Sequence, residues 1–372
     1  MKGKNTKLNF FDKLFWWLTI LAGLSLLISY LSPIIDPRKI WIVAFFGLAY
    51  PFLLLANVLL LIFWVFRGKR YWLMPTLIII IGFNVLFDNI GFRFFEPPRN
   101  VVKENCLRVM TYNVHNFKGY GDKNNPNTKT EALSIIAAEH PDVVGMQEYF
   151  TRKRGQYAFT DSMKRLMRSN HYYFEPFNYD RSYEAVGLAI FSKYPIVNKG
   201  YIRLSDEGGS GNQCVYTDIK KGNHIVRIYS IHLQSIRFDP TDYDYLDSVS
   251  RHGKTSLSSS KRIGSKLKRA FIKRSEQVFK VKEHAAQCPY PYVISGDFND
   301  TPASFAVNQM AKGLKNAFRE KGSGMGRTYN GSFPNYQIDY IMASPKLDVD
   351  NYWIVKKKMS DHYPVCSDLM LK

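Results

Sequence analysis

The chain has 372 residues, of which 46% are hydrophobic, 15% aromatic and 22% charged, a balance that excludes a disordered or collagen-like polymer. Its formal net charge is +20; the first hundred residues hold 11 basic and 4 acidic side chains, the remainder 40 and 27. A basic surface attracts polyanions and anionic lipid headgroups alike, so charge alone does not choose a partner. The four cysteines (Cys106, Cys214, Cys288, Cys366) are widely spaced, which excludes a disulfide scaffold or a zinc finger and leaves a Cys106–Cys366 pair open.

In chain order, three long apolar runs come first. Leu14 to Leu31 and Ile40 to Phe66 carry no charge and approach or exceed the roughly 20 residues a membrane-crossing helix needs. Tyr71 to Phe87 is shorter and contains Pro75 and Asn84. None shows the polar stripe of a helix in a soluble bundle. Residues 1–95 are therefore expected to be a membrane anchor with three transmembrane helices, at about 14–31, 40–66 and 71–87. Trp16, Trp17, Trp41, Trp64, Tyr71 and Trp72 lie towards the ends of the runs, as interfacial aromatics do. Lys2, Lys4, Lys7 and Lys13 before the first run, and Arg67, Lys69 and Arg70 after the second, outnumber Arg38 and Lys39 between them. This bias puts the N-terminus inside and, after three crossings, the rest of the chain outside, so the expected localisation is membrane, multi-pass, with an extracytoplasmic second domain. The proline pair in Glu96-Pro-Pro-Arg-Asn100 reads as a stiff linker over 96–105.

From 106 to 372 the periodicity changes. Strands are expected at 107–115, 142–148, 187–194, 213–220, 224–234, 290–299, 337–344 and 363–371, and helices at 128–139, 159–169, 261–287 and 304–313. Their alternation implies one large α/β domain. Loops are expected at 119–127, 208–212 and 248–260.

Apolar strands in this region repeatedly end in a carboxylate, carboxamide or imidazole. Asn113, Glu148, His232 and the Asp297/Asn299 pair close strands; Asp339 and Asp361-His362 open others. Taken singly, such residues are turn formers. Taken together, a sheet can bring strand ends to one rim, and a period of two puts Asp297 and Asn299 on one side. Carboxylates and an amide oxygen are hard ligands suited to Mg²⁺, Mn²⁺ or Ca²⁺, and the imidazoles then suit proton transfer. Water attack on a phosphate ester needs a cation, a base and an acid, and this set supplies all three. Asp339 is placed to fix the tautomer of His362.

The segments NVHNF, MQEYF, GLAIFSKYPI, YSIHLQS, VISGDFNDTP, QIDYIMAS and SDHYPV, in this order over residues 106–371, resemble the endonuclease/exonuclease/phosphatase superfamily. The resemblance implies a four-layer α/β sandwich, two packed sheets flanked by helices, that hydrolyses phosphate esters with a divalent cation. It implies that Asn113, Glu148 and Asp361 bind the metal, and that His362, oriented by Asp339, activates water. Asp297 would orient that water or bind metal, Asn299 would donate to a phosphate oxygen, and His232 would assist the leaving group, with Glu184 as a loosely aligned partner. The sequence reads ISGDFNDTP and YQIDYIM where inositol 5-phosphatases carry their marker boxes, which argues against that branch. Nine Lys or Arg and no acid between Arg251 and Ser275 suggest a grip on a nucleic acid backbone or an anionic membrane. The expectation is a membrane-anchored, Mg²⁺-dependent, nuclease-like phosphodiesterase, with a phospholipid or phosphomonoester hydrolase as the alternative. Arg274 and Gln277, one turn apart, are expected to face the sheet and receive no role.

Overall fold

The computed structural model describes residues 9–93, 105–117, 127–152, 155, 158–179, 184–205, 211–331 and 335–372. The expected linker over 96–105, apart from Asn105, and most of the turns at 119–127 and 208–212 lie outside the described residues.

Helix α1 (Phe10–Ser29) is capped by Asn9, whose side chain accepts from the Asp12 N–H at 2.7 Å. Among the described residues it is the one unbroken helix long and apolar enough to cross a bilayer. The run at 40–66 is not one helix. It forms α2 (Ile42–Leu48) and α3 (Tyr50–Phe66), bent by 64°. Pro51 explains the break, since its ring has no N–H to give and clashes with the carbonyl of Gly47. The third run likewise divides into α4 (Leu73–Ile81) and α5 (Phe83–Asn89), with a 65° bend at Gly82. Pro75 lies in the first turn of α4 and interrupts nothing there. Each bent pair has the length and composition of a broken span or of a re-entrant loop.

Polar contacts join these helices. Trp64 donates to the Thr19 hydroxyl at 2.8 Å, Asn57 to the Ala22 carbonyl at 3.1 Å, and Arg67 to Asp12 at 2.9 Å. Such groups hold helices together where apolar burial supplies no drive. Outward, Trp17, Leu21, Leu24, Phe52, Leu55, Leu59, Ile80 and Ile81 stay exposed, an apolar belt unsuited to water.

The rest of the chain runs β1 (Gly91–Phe92), β2 (Cys106–Asn113), α6 (Thr128–Glu139), β3 (Val143–Thr151), α7 (Phe159–Met167), β4 (His171–Tyr179), β5 (Ala185–Ser192), β6 (Ile196–Arg203), β7 (Gln213–Lys221) and β8 (His224–His232). It continues through α8 (Pro240–His252), α9 (Leu257–Ala286), β9 (Tyr292–Asp297), α10 (Phe305–Ala311), β10 (Lys315–Asn316), α11 (Ala317–Lys321), β11 (Ser323–Gly324), β12 (Asp339–Ala343), β13 (Leu347–Ile354) and β14 (Val365–Leu371). Two six-stranded sheets form, in the orders β13-β14-β2-β3-β5-β4 and β10-β12-β9-β8-β7-β6. Their inner faces share one core, with Val109, Val143 and Ile190 from the first and Val215, Ile228 and Val293 from the second. Helices α6 and α7 bury Ile136 and Met163 on the outer face of the first sheet; α9 and α10 bury Val278 and Met310 on that of the second. This is the expected mixed α/β sandwich, two packed sheets flanked by helices.

Six of the described strands escaped the periodicity: the long β4, β6 and β13, and the two-residue β1, β10 and β11. The loop expected at 248–260 shrinks to the turn between α8 and α9, where Gly253 adopts φ 63°. Helix α8 starts with a capping box, the Asp239 side chain accepting from the Asp242 N–H and Asp242 accepting in return. Cys106 and Cys366 do not pair. Antiparallel register sets Cys106 opposite Met370 and Cys366 opposite Met110, about 13 Å apart at strand rise, and both thiols are free.

Candidate active site at the ends of the paired central strands

Each sheet contains one parallel pair, β2/β3 in the first and β8/β9 in the second. Parallel neighbours end on the same side, so Asn113, Glu148, His232 and Asp297 come to one rim. Register sharpens this: His232 lies opposite Asp297, and Asp297 opposite Asp339 on the antiparallel β12. Asp361 and His362 precede β14, beside β2.

Local backbone aims the side chains. Glu148 has φ 51°, and the ladder with β5 skips between Met146 and Tyr149, a bulge that turns Glu148 towards the rim. Asn299 has φ 54°, since β9 ends at Asp297 and the chain curls back on itself. Strand alternation is therefore not what joins Asp297 to Asn299. The joint is a turn, with the Asn299 N–H donating to Asp297 Oδ1 at 2.7 Å.

Asp297 is the hub of the site. Its Oδ2 accepts from Asn113 at 3.0 Å and Asn299 at 3.2 Å, and lies 3.6 Å from His232 Nε2 and 3.8 Å from His362 Nε2. Burial pushes the Asp297 carboxyl above its ordinary range, against the pull of the two imidazoles. His362 Nδ1 donates to Asp339 Oδ2 at 2.9 Å, leaving Nε2 for chemistry; Asp339 Oδ1 is buried without a partner. Burial alone would depress His362, but Asp339, Asp297 and Asp361 together raise it well above an ordinary histidine. His232 Nδ1 lies 3.1 Å from the Gly211 carbonyl, which only accepts, so Nδ1 carries the proton there and Nε2 points to Asp297.

Seven of the eight expected residues line one cavity of about 250 Å³; Asp339 lies behind His362. Glu184 is not with them. It pairs with Arg152, and His232 takes the Gly211 carbonyl instead. Asn299 also departs from expectation, because its amide donates to the Leu233 carbonyl at 3.1 Å and to Asp297, which uses both amide hydrogens.

Two residues for which no role was expected also reach the site. His115 Nδ1 lies 3.5 Å from Asp361 Oδ1 and 3.7 Å from Glu148 Oε2, bracketed by the two carboxylates. Arg274 is 1% exposed, donates to the Gln234 carbonyl at 2.7 Å and pairs with Asp300 at 3.1 Å. Its Nη2 is buried without a partner at the cavity wall. The signal for Arg274 was a cation within the buried face of α9, where a free charge is costly.

The donor set fits a divalent cation. Glu148 and Asp361 have no Lys or Arg partner among the described residues, and with Asn113 they offer hard oxygens at one cavity. Asp297, Asp339 and His362 also lie close enough together to hold an ion, but the Asp339–His362 bond occupies Nδ1.

Residues 110–362 match the model of the Endonuclease/Exonuclease/phosphatase family. The chain belongs to that family. It is thereby a metal-dependent phosphoric ester hydrolase. Residues 12–88 match a second model, described as a domain of unknown function, DUF8431. No curated protein matches. Solved structures of similar fold include an endonuclease/exonuclease/phosphatase family protein from Bacteroides thetaiotaomicron, at 19% identity and TM-score 0.52 over 72% of this chain and 98% of that one. The human nocturnin catalytic domain follows at 18% identity and TM-score 0.51, over 74% of this chain and 100% of that one. A Beutenbergia cavernae endonuclease/exonuclease/phosphatase has 20% identity and TM-score 0.50, with 72% of each chain covered.

Proposed function

We propose that the chain is a membrane-held phosphodiesterase that uses Mg²⁺, with Mn²⁺ or Ca²⁺ as substitutes, and hydrolyses phosphodiesters at the membrane surface. The observation that carries the chemistry is Asp297 Oδ2 between two imidazole Nε2 atoms, one of them backed by Asp339. Asn113, Glu148 and Asp361 would hold the cation, which when bound offsets negative charge on the phosphoryl oxygens. Asp297 orients the attacking water. His362 takes its proton at Nε2, and the carboxylates around the ring make it a strong acceptor once neutral. The water oxygen bonds to phosphorus, the bond to the leaving oxygen breaks, and protonated His232 gives that oxygen a proton from Nε2. Arg274 Nη2 supplies a donor to a phosphoryl oxygen, and Asn299 positions Asp297.

Membrane attachment is supported by the apolar belt on the N-terminal helices. Three crossings are consistent with where the contacts fall, which seat the catalytic domain at the end of the helices away from the N-terminus; the Lys and Arg bias is what assigns that end to the outside. Asp36 and Asp88 touch the catalytic domain through Ser275 and Arg319, whereas Asp12 and Arg67 meet at the opposite end of the helices.

The basic run at 251–275 gives little support to a nucleic acid substrate. Arg262 and Lys266 are spent on Asp242, Arg274 on Asp300, and Lys268 stacks over Trp41 at 4.5 Å. That last contact ties the run to the apolar helices, where anionic headgroups would lie.

The test is hydrolysis of bis(p-nitrophenyl) phosphate by the full chain in detergent with Mg²⁺. Activity is expected to vanish with EDTA and to fall about 10²–10⁴-fold in His362→Ala. Equal activity in wild type and variant would reject the mechanism. Plasmid nicking that His362→Ala abolishes would restore nucleic acid as the substrate.

A further inference from the structure

The catalytic cavity has one polar wall and one apolar wall, and the apolar wall includes Leu48 with Phe238, Leu267 and Phe271. Leu48 belongs to the N-terminal helices, at the end of α2 where Pro51 breaks the run. The break exposes the Leu48 carbonyl, and Tyr336 donates to it at 3.1 Å. Tyr336 also lines a second, mainly apolar cavity of about 620 Å³, between Tyr50, Leu54, Leu55 and Val58 of α3 on one side and Pro302 and Met325 of the catalytic domain on the other; Asn89, Arg327, Asn335 and Gln337 supply its polar groups. For scale, an apolar cavity of about 150 Å³ accommodates benzene. The second cavity opens towards the bilayer face, because its lining residues Phe52 and Leu55 are 57% and 55% exposed, and Leu59 at 57% continues the same helical stripe.

An apolar chamber that meets the lipid-facing side of a helix, and shares a wall residue with a phosphate-hydrolysing cavity, has the division a two-part substrate needs. We infer that the substrate is a membrane phospholipid whose hydrocarbon chain lies between α3 and the wall formed by Pro302, Met325 and Tyr336, while its phosphodiester passes Tyr336 to reach Asp297 and Arg274. This rests on the phosphodiesterase reading above and adds the substrate class. Lipid slides in along Phe52, Leu55 and Leu59 without leaving the bilayer. Hydrolysis then breaks one P–O ester bond and adds water across it, giving a phosphomonoester and an alcohol.

The experiment uses the full chain in phosphatidylglycerol nanodiscs. In His362→Ala, a phosphatidylglycerol with a diazirine midway along one acyl chain is expected to cross-link to peptides covering 50–58 and 325–337. Cross-links confined to the outward faces of α1 and α4 would overturn the inference. Independently, wild type with Mg²⁺ is expected to hydrolyse 16-carbon phosphatidylglycerol at least tenfold faster than the 4-carbon form, and Leu54→Trp, which fills the chamber, to reduce that ratio at least fivefold. Unchanged bis(p-nitrophenyl) phosphate hydrolysis with no chain-length preference would overturn the lipid assignment and leave the phosphodiesterase reading standing. Loss of both activities in wild type would strike that reading and the inference together.

Discussion

Asp339 and His362 are 23 positions apart, yet the bond between them decides which ring nitrogen faces the cavity. An amide at 339 could donate where the carboxylate accepts, which would reverse the tautomer or leave the ring free to turn. Asp339→Asn is accordingly expected to lower kcat about 10²-fold or more with KM for a soluble diester changed less than threefold, measured by steady-state kinetics. An equal loss through KM would assign Asp339 to substrate binding instead. At this scale the residue types and strand-end positions were readable before any coordinates, because Asn113, Glu148, His232, Asp297 and His362 each interrupt an apolar pattern. Three things were not. The spent amide of Asn299, the Arg152 partner of Glu184 and the position of His115 depend on backbone angles and neighbours that no spacing encodes.

Among elements, the strands that periodicity found are central and those it missed in the two large sheets lie at edges: β4 and β13 bound one sheet, β6 and the two-residue β10 the other. Edge strands carry charges, proline and glycine that discourage pairing with another chain, and these features blur the apolar alternation. Pro176 in β4, Lys199 with Gly200 in β6 and Asp348 in β13 are instances. Gly296 in β9 is the opposite case, a central position where the backbone needs glycine. Its φ is 144°, and a Cβ would overlap the Ile231 carbonyl oxygen on the parallel neighbour β8. Gly296→Ala is expected to cost at least about 2 kcal/mol, read as a lower denaturation midpoint, and to displace Asp297. A midpoint equal to wild type would show that β8 and β9 tolerate separation there.

For the molecule as a whole, the apolar segment packs on the α/β domain and contributes to the wall of the candidate site. Phe45 meets Phe271 edge-on at 5.3 Å, Ser275 donates to Asp36 at 2.8 Å, Arg319 pairs with Asp88 at 2.6 Å, and Leu48 lines the cavity itself. Gly47 is one of the close approaches. A Cβ there would overlap the Ser32 side chain and lie 2.9 Å from the Ala303 carbonyl, four residues past Asn299. Gly47→Val is expected to push the helices off the 301–304 turn, raising hydrogen exchange at 301–308 and lowering turnover about tenfold. Unchanged exchange there, measured on the full chain by mass spectrometry, would show that the two parts act separately.

The sequence by itself determined that apolar helices precede an α/β phosphoesterase domain, because hydropathy and strand-end chemistry are local properties that neighbouring residues encode. It also pointed to a hard-cation donor set, since carboxylate and amide oxygens favour hard cations wherever they meet. Tertiary structure decided the rest: where Pro51 and Gly82 bend the helices, which basic residues are consumed by internal partners, and that a helix break reaches the catalytic cavity. Pro51 and Gly82 mark the breaks locally, but the partners of the basic run and the seating of Leu48 beside Phe271 come from contacts between segments 20 to more than 200 residues apart, whose geometry follows from packing and has no signature in local pattern.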